Sequence, residues 1–471
     1  MSKIITIDPV TRIEGHAKIT IQLDDAGEVA DAHFHVTQLR GFEKLVEGRP
    51  FHEMPGIMAR ICGICPVSHL IASSKACDEL LAVRIPETAA DLRRILNLAQ
   101  IVQSHALSFF YLSSPDLLLG MDAPPADRNI VGVLAQYPEL ARGGIWLRKF
   151  GQQIIERLAG KRIHPAWVVP GGVSEPLSPE DRDAILDEIP EIRQIALDIL
   201  TWYKTVVTQF EDEIQHFASF PTMFMGLTTL DGALAMYDGQ LRLTDEYGTV
   251  VEHDMSPYHD YIGEAAEPWT YLKSPYYLPR GYPDGIFRVG PLARLNMVER
   301  CGTPLADDAL TEFKSLSVEE RWSSFHYHYA RLIEILYGIE QIEALLNKPT
   351  ITDTHVRAVA QPNAREGIGV AEAPRGTLLH HYRIDDQGLI TSANLIIATG
   401  NNNMAMDRGV LQAAMQYVDG QSLNEGMLNR VEAVIRTFDP CLSCSTHAVG
   451  QMPLHIQLLA PDGDVVSEVA R

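Results

Sequence analysis

The stretch RICGICPVSH, Arg60 to His69, sets two cysteines two residues apart between an arginine and a histidine. Near the other end, DPCLSCSTH, Asp439 to His447, repeats the spacing. The chain has six cysteines in 471 residues, so most of its sulfur chemistry falls in these two pairs. Six is too few for a disulfide scaffold, and paired Cys-x-x-Cys points to metal or redox chemistry. Four thiols suit a tetrahedral soft-metal site, such as structural zinc or an iron–sulfur cluster. A zinc ribbon closes over a short loop, however, and these pairs lie at opposite ends of the chain. Neither sits in a glycine-rich knuckle. Each has ionisable neighbours, Arg60 and His69 on one, Asp439 and His447 on the other, and such an escort suits a catalytic metal. Spacing alone leaves a catalytic metal, a structural metal and a redox dithiol open. Cys77 and Cys301 read as ordinary buried thiols.

The bulk properties narrow the class. With 46% hydrophobic residues the chain can bury one large core or several ordinary ones. Mean hydropathy is near zero, at −0.04, and no apolar run approaches the roughly 18–20 residues of a membrane helix. The start, MSKIITIDPV, carries no signal-peptide core. These features lead us to expect a cytoplasmic protein without membrane insertion, although a chain exported on a signal-bearing partner would look the same. A net charge of −22 argues against nucleic-acid binding.

Local patterns predict a β unit over residues 1–40. KIITID and HAKITIQL read as strands, Asp24 to Glu28 as a turn, and VADAHFHV as the returning strand. Helical spacing then takes over. From Glu87, Leu92, Ile95, Leu96, Ala99 and Val102 share one face. Ser178-Pro179 opens a helix that Pro190 should kink or restart. Ser317-x-x-Glu320 reads as the cap of a long helix carrying Leu332, Ile335, Leu336 and Ile339. Pro268 to Pro291 reads as loops and short strands, and residues 380–400 as a hairpin turning at Asp385 to Gly388. The expected fold is α+β and predominantly α: a long-helix bundle core with small peripheral β units.

The two cysteine motifs, Arg-x-Cys-Gly-x-Cys-x-x-x-His and Asp-Pro-Cys-x-x-Cys-x-x-His, resemble the two signatures of nickel–iron hydrogenase large subunits. The likeness continues through DPVTRIEGHAKI, RGFEKLVEGRP, SHALSFFYLSSPDLL and EAPRGTLLHHY, covering nearly the whole chain. Its wording is most similar to the soluble bidirectional NAD-reducing branch. The resemblance implies a hydrogenase large-subunit fold, with 1–447 one catalytic domain and 448–471 an extension removed on maturation. It implies a nickel–iron centre with carbon monoxide and cyanide on the iron. Cys62 and Cys441 would be terminal nickel ligands, and Cys65 and Cys444 would bridge the two metals. Soft thiolates suit both metals.

The remaining roles come from the same resemblance. Arg375 would overhang the open metal position, flanked by Asp116 and Asp439, with Pro374 in the same canopy. Glu14 would relay the proton released when dihydrogen splits, a task for a carboxylate tuned by burial. His69 would tune the metals through the bridging sulfur. Thr399 and Asn401 would surround the diatomic ligands, although Gly400 departs from the family pattern. Glu43 and His447 would hold a hard cation, magnesium, with water and carbonyl oxygens completing its shell. Without the motifs, Arg375 reads as a surface salt bridge, Asp439 as a helix cap, Glu14 as a hairpin surface residue and His69 as a core histidine.

The chain has no G-x-G-x-x-G and no G-x-x-x-x-G-K-[ST], and too few cysteines remain for an electron relay. It is therefore expected to work with an iron–sulfur small subunit, with diaphorase subunits holding FMN and NAD, and with a maturation protease. Alternatives are a sister enzyme passing electrons to a deazaflavin, NADP or a disulfide reductase, and a dihydrogen sensor. A non-catalytic relative of the respiratory quinone-site subunit would lack the four cysteines present here.

Overall fold

Three strands open the chain. β1 (Lys3–Ile7), β2 (Lys18–Leu23) and β3 (Val29–His35) pair in order as an antiparallel sheet, as the alternation in HAKITIQL and VADAHFHV anticipates. Ile19, Ile21, Ala32 and Phe34 bury one face of it. The computed structural model describes residues 3–446 and the two short strands His455–Leu459 and Val465–Ala470.

A helical core follows. α1 (Pro66–Leu81) has Cys65 at its N-cap and Pro66 at its first position, where the missing N–H costs nothing. α2 (Glu87–Leu107), α3 (Pro138–Ala159) and α4 (Pro179–Val206) are long, and Ser178 Oγ accepts from Asp181 N at the start of α4. The expected break at Pro190 is absent, and α4 runs through it as one helix. Ile185, Ile189, Ile192, Ala196 and Ile199 are buried on both sides of the proline, so packing outweighs one missing hydrogen bond.

The middle of the chain contributes β4 (Met223–Thr228), β5 (Gln240–Thr244) and α5 (Pro291–Met297). The Ser317 capping box forms, but it opens only the short helix Val318–Trp322. The chain turns at Ser323, and the long helix α6 (Tyr327–Leu346) begins separately. α6 packs on α2 and α4, and α3 packs on both of those, closing a four-helix bundle.

The final third adds a three-stranded sheet, β6 (Glu366–Ala373), β7 (Gly376–Ile384) and β8 (Ile390–Ile396). β7 and β8 form the expected hairpin, turning at Asp385 to Gly388, while β6 is an additional strand. Ala373 pairs with Gly376 in register, so Pro374 and Arg375 occupy the tip of a two-residue turn. α7 (Asn403–Tyr417), α8 (Glu425–Phe438) and the single turn α9 (Leu442–Ser445) complete the described residues before 447. One continuous core reaches from Ile7 to Leu442. Helix exceeds strand, at about 49% against 19%, and the fold agrees with the α-rich α+β class.

The glycines of REGIGVAEAPRG have a packing role. A Cβ on Gly369 would lie 1.9 Å from the Ala72 carbonyl oxygen of α1, and one on Gly367 would lie 2.2 Å from that of Ala76. Helix α1 and strand β6 thus touch backbone to backbone. This contact ties the helix that starts at Cys65 to the strand that leads into Arg375. Gly369→Ala should destabilise the chain by about 3 kcal/mol or more through overpacking against backbone. Thermal unfolding checks this, and an unchanged midpoint would contradict the close approach.

Candidate metal centre

The two Cys-x-x-Cys pairs meet. The sulfurs of Cys62, Cys65, Cys441 and Cys444 all lie within 4.8 Å of one another and are buried. Cys62 and Cys441 are 3.2 Å apart, Cys65 and Cys444 3.4 Å, and Cys441 and Cys444 2.8 Å. The chain turns tightly after Cys62, so the backbone N–H groups of Ile64 and Cys65 donate to its sulfur at 3.2 and 3.4 Å. Hydrogen bonds from Cys441 pull the Cys62 thiol down, and those from Cys441 and Cys444 bring Cys65 to about 6. Burial pushes Cys441 and Cys444 up. A quartet of close sulfurs that cannot all hold charge in the absence of a cation is a donor set suited to a soft metal.

The second pair is held by the first residues of the chain. α8 ends at Asp439, which takes left-handed backbone angles (φ 54°) and turns the chain toward the first pair. Glu14 bridges Cys441 in parallel, its carbonyl oxygen accepts from Leu442 N, and its Oε2 accepts from Ser443 N at 3.0 Å. Gly15 permits the approach: its φ is 89°, and a Cβ there would lie 2.7 Å from Leu442 Cβ. Thr399 Oγ1 accepts from Cys441 N at 2.9 Å. Arg40 Nη1 donates to the Ile61 carbonyl at 2.6 Å, and Arg40 N donates to the Thr446 carbonyl, stitching the two motifs together.

Arg375 is buried above this quartet. Its Nε donates to the Asp439 carbonyl at 2.5 Å, its Nη2 to Asp439 Oδ1 at 3.1 Å and its Nη1 to Ser104 Oγ at 3.4 Å. Burial opposes its charge, but Asp439 and the sulfurs of Cys441, Cys65 and Cys62 outweigh burial and hold its pKa well above the usual value. Burial raises the Asp439 carboxyl, against the pull of Arg375 and then Arg331.

Asp439 thus bonds Arg375 directly, and Asp116 has a separate set of partners. After α2 the chain winds as a π-helix over Ser108–Ser113 and re-aims the next turn. Asp116 accepts from Arg12 Nη2 at 2.6 Å and Asn429 Nδ2 at 3.1 Å, with Arg128 Nε and Arg436 Nε each at 3.5 Å. Burial pushes this carboxyl up, yet Arg436 and Arg12 prevail and keep it below its usual range. Ser104 occupies the other side of Arg375. Its motif, SHALSFFY, is visible in the sequence, but a lone serine gives no signal of such a role.

The other expected residues are placed as follows. His69 Nδ1 pairs with His380 Nε2 at 3.2 Å, and His380 Nδ1 with Tyr382 Oη at 2.6 Å, so His69 heads a buried polar chain. Pro374 forms the turn tip beside Arg375. Asn401 Nδ2 donates to the Thr377 carbonyl, and its Oδ1 is buried without a hydrogen-bond partner among the described residues. Glu43 Oε1 accepts from Lys273 Nζ and Leu395 N, both at 2.7 Å, and Lys273 also faces Glu264 Oε1 at 3.1 Å. His447 and the expected extension at 448–471 lie outside the described residues, apart from the two short strands. The surface cleft lined by Lys75, Asp78, Arg94, Tyr237 and Asp238 holds none of the four sulfurs, and Asp238 there pairs with Lys75 and Arg94.

Comparisons with known proteins agree with this geometry. A model of the nickel-dependent hydrogenase family matches residues 40–139 and 233–447, and a HoxL-like model matches residues 4–39. The chain is 42% identical to the NAD-reducing hydrogenase HoxS subunit beta of Cupriavidus necator, with all of both chains covered. It is 44% identical to a chain of the F420-non-reducing hydrogenase vhu of Methanococcus voltae, covering 87% of this chain and 98% of that one. Among solved structures, an NAD+-reducing NiFe hydrogenase in the H2-reduced state superposes with a TM-score of 0.92 at 45% identity, covering 94% of this chain and 99% of that one. A NiFeSe hydrogenase of Desulfomicrobium baculatum, 23% identical with a TM-score of 0.76, shares the fold over 94% of this chain and 100% of that one.

The Asp116 network predicts a pH signature. Because the folded pKa lies below the ordinary aspartate value, its stabilisation is present above the unfolded pKa and is lost as pH falls through the folded one. Asp116→Asn should cost about 3–5 kcal/mol near neutrality, since it strands buried guanidinium groups. The difference from the parent chain should shrink below about pH 4. Denaturant unfolding at both pH values checks this, and a pH-independent difference would contradict it.

Proposed function

Because the chain belongs to the nickel-dependent hydrogenase family, as a catalytic large subunit, we propose that Cys62, Cys65, Cys441 and Cys444 hold its nickel–iron centre. Cys62 and Cys441 would hold the nickel, and Cys65 and Cys444 would be shared between it and an iron bearing carbon monoxide and cyanide. The observation that carries this reading is the convergence of four sulfurs from both ends of the chain within 4.8 Å, beneath a buried guanidinium. When bound, the centre supplies the heterolytic cleavage and formation of dihydrogen.

The protein's own groups do the rest. Arg375, locked by Asp439, presents fixed positive charge where electron density builds on the sulfur side, and needs no reorganisation as it does so. Glu14 abuts the second sulfur pair through Ser443 N and is half-buried, and it is the group to which we assign the outward proton relay. His69 is held in one orientation by His380 and tunes the sulfur of Cys65 one helical turn away. Thr399 fixes the backbone at Cys441, and Asn401 and Pro374 line the pocket for the diatomic ligands. Asn401 Oδ1 is buried with no hydrogen-bond partner among the described residues, which leaves a polar atom available to those ligands. Asp116 acts at longer range, anchoring Arg12 two residues before Glu14.

Glu43 and Glu264 set two carboxylates against one Lys273 ammonium. Glu43, with His447, is assigned as a ligand of a hard divalent cation, magnesium. The catalytic domain ends at 447, where the family match also ends, and a maturation protease removes residues 448–471. Electrons leave through an iron–sulfur small subunit to FMN- and NAD-binding diaphorase subunits, in the cytoplasm. Full-length similarity to an NAD-reducing enzyme supports this acceptor. Similarity to F420-non-reducing enzymes keeps a different acceptor as the second reading. Among the described residues no helix is long and apolar enough to cross a membrane.

Metal analysis with infrared spectroscopy of the purified complex tests the proposal. Nickel, iron and bands from bound carbon monoxide and cyanide are expected, and Cys65→Ser should lose metals and activity together. A nickel-replete, active Cys65→Ser enzyme would overturn the ligand assignment. Glu14→Gln should load metals normally yet lose H/D exchange with solvent, and retained exchange would place the relay elsewhere.

A further inference from the structure

Helix α6 carries polar side chains at every third position, His328, Arg331 and Glu334, and all three are buried. Three-residue spacing puts them on one face. Glu334 and Arg331 lead to opposite halves of the Arg375–Asp439 pair.

Glu334 takes a two-pronged bond from Arg294 of α5, Nε to Oε1 at 2.7 Å and Nη2 to Oε2 at 2.6 Å, and is capped by His105 Nε2 at 2.7 Å. Arg294 then reaches the arginine turn. Its Nη1 meets Glu372 Oε2 at 2.5 Å and the Ala373 carbonyl at 3.1 Å, and its Nη2 meets the Pro374 carbonyl at 3.5 Å. Glu372 is closed by Leu227 N at 3.0 Å and Thr377 Oγ1 at 2.7 Å. Arg294, Glu334, Glu372 and His105 are each 0% exposed. Burial works to raise Glu334, but Arg294 outweighs it and holds this carboxyl at about 2.

On the other half, Arg331 Nη2 donates to the Thr437 carbonyl at 2.6 Å, just before Asp439. Arg331 Nε and Nη1 have no hydrogen-bond partner among the described residues, and neither does Asp439 Oδ2. A dry ion network of this size is a poor source of stability, because well-packed apolar side chains of similar volume serve as well or better. Its geometry, however, is more exacting than packing alone, since every nitrogen of Arg294 is engaged, by Glu334 on the helix side or by Glu372 and the Ala373 and Pro374 carbonyls at the turn.

We propose that Arg294 and Arg331 are positioning residues, through which helix α6 aligns Arg375 and Asp439 over the sulfur quartet from both sides. This rests on the reading that Arg375 acts at the metals. The two arms set the tip of the β6–β7 turn and the end of α8 against one rigid helix, so the guanidinium has one orientation before substrate arrives.

A double-mutant cycle in the purified complex tests this. Arg294→Lys keeps the charge but loses the two-pronged geometry. It should lower turnover about tenfold in the parent enzyme and less than about twofold in an Arg375→Lys background, because the effect passes through Arg375. Nickel content should stay at the parent level, and dihydrogen KM should change less than kcat. Arg331→Lys should behave alike. Thr377→Val, which removes only one bond to Glu372, should show the same non-additivity at smaller amplitude and covers the case in which Arg294→Lys fails to fold. Equal losses in both backgrounds, or no loss in the parent, would overturn the proposal. An Arg375→Lys enzyme with unchanged turnover would instead refute the reading beneath it.

Discussion

The structure depends on one constraint: sulfurs from the two ends of the chain must share a space a few ångströms wide. Four buried thiols at 2.8–3.4 Å cannot all ionise without a cation, and as neutral thiols they waste a densely built pocket. The surrounding fold makes that arrangement rigid. Glu14 joins Cys441 as an isolated bridge, Arg40 ties Ile61 to the second motif, and Gly15 lets two backbones approach where any side chain would collide. Each of these contacts is long-range in sequence, so the site can be only as well defined as the tertiary fold.

Charge is arranged around the sulfurs in concentric fashion. Arg375 interacts electrostatically with three of them. Asp439 balances it, and Arg331 stands behind Asp439. Asp116, with Arg12, Arg128 and Arg436, forms a separate cluster tied to the N-terminal segment that carries Glu14. The two clusters hold different segments: one fixes Arg375 at the β6–β7 turn, the other fixes the N-terminal segment that carries Glu14. Both use arginine where a planar fork of donors has to reach several oxygens at once.

Much of this is legible in the sequence. The four cysteines, Arg375 and Glu14 lie in motifs with strict spacing, and the first sheet, α2 and the β7–β8 hairpin follow from periodicity and turn chemistry. The departures have physical causes. Pro190 sits in a helix whose buried isoleucines override its missing N–H. The Ser317 capping box is genuine but governs only five residues, because a cap specifies where a helix starts and not how far it runs. β6 is hidden because its glycines resemble a loop, whereas they allow contact with α1. Asp116 also lies in a motif, but the convergence of Arg12, Arg128 and Arg436 on its carboxylate has no local signal. Arg294, Arg331 and Glu334 give no local signal, since a polar stripe on a fully buried helix is meaningful only when its neighbours are known.

The bridging of distant chain segments at the quartet also orders events in time. At translation speeds of roughly 5–20 residues per second, the second cysteine pair leaves the ribosome on the order of half a minute after the first. Until then the early thiols have no complete cage, and a metal captured by them would have half its donors. Loading therefore belongs to the finished polypeptide, and a cell making this protein has to guard a pair of nascent thiols from adventitious metals and oxidants throughout its synthesis.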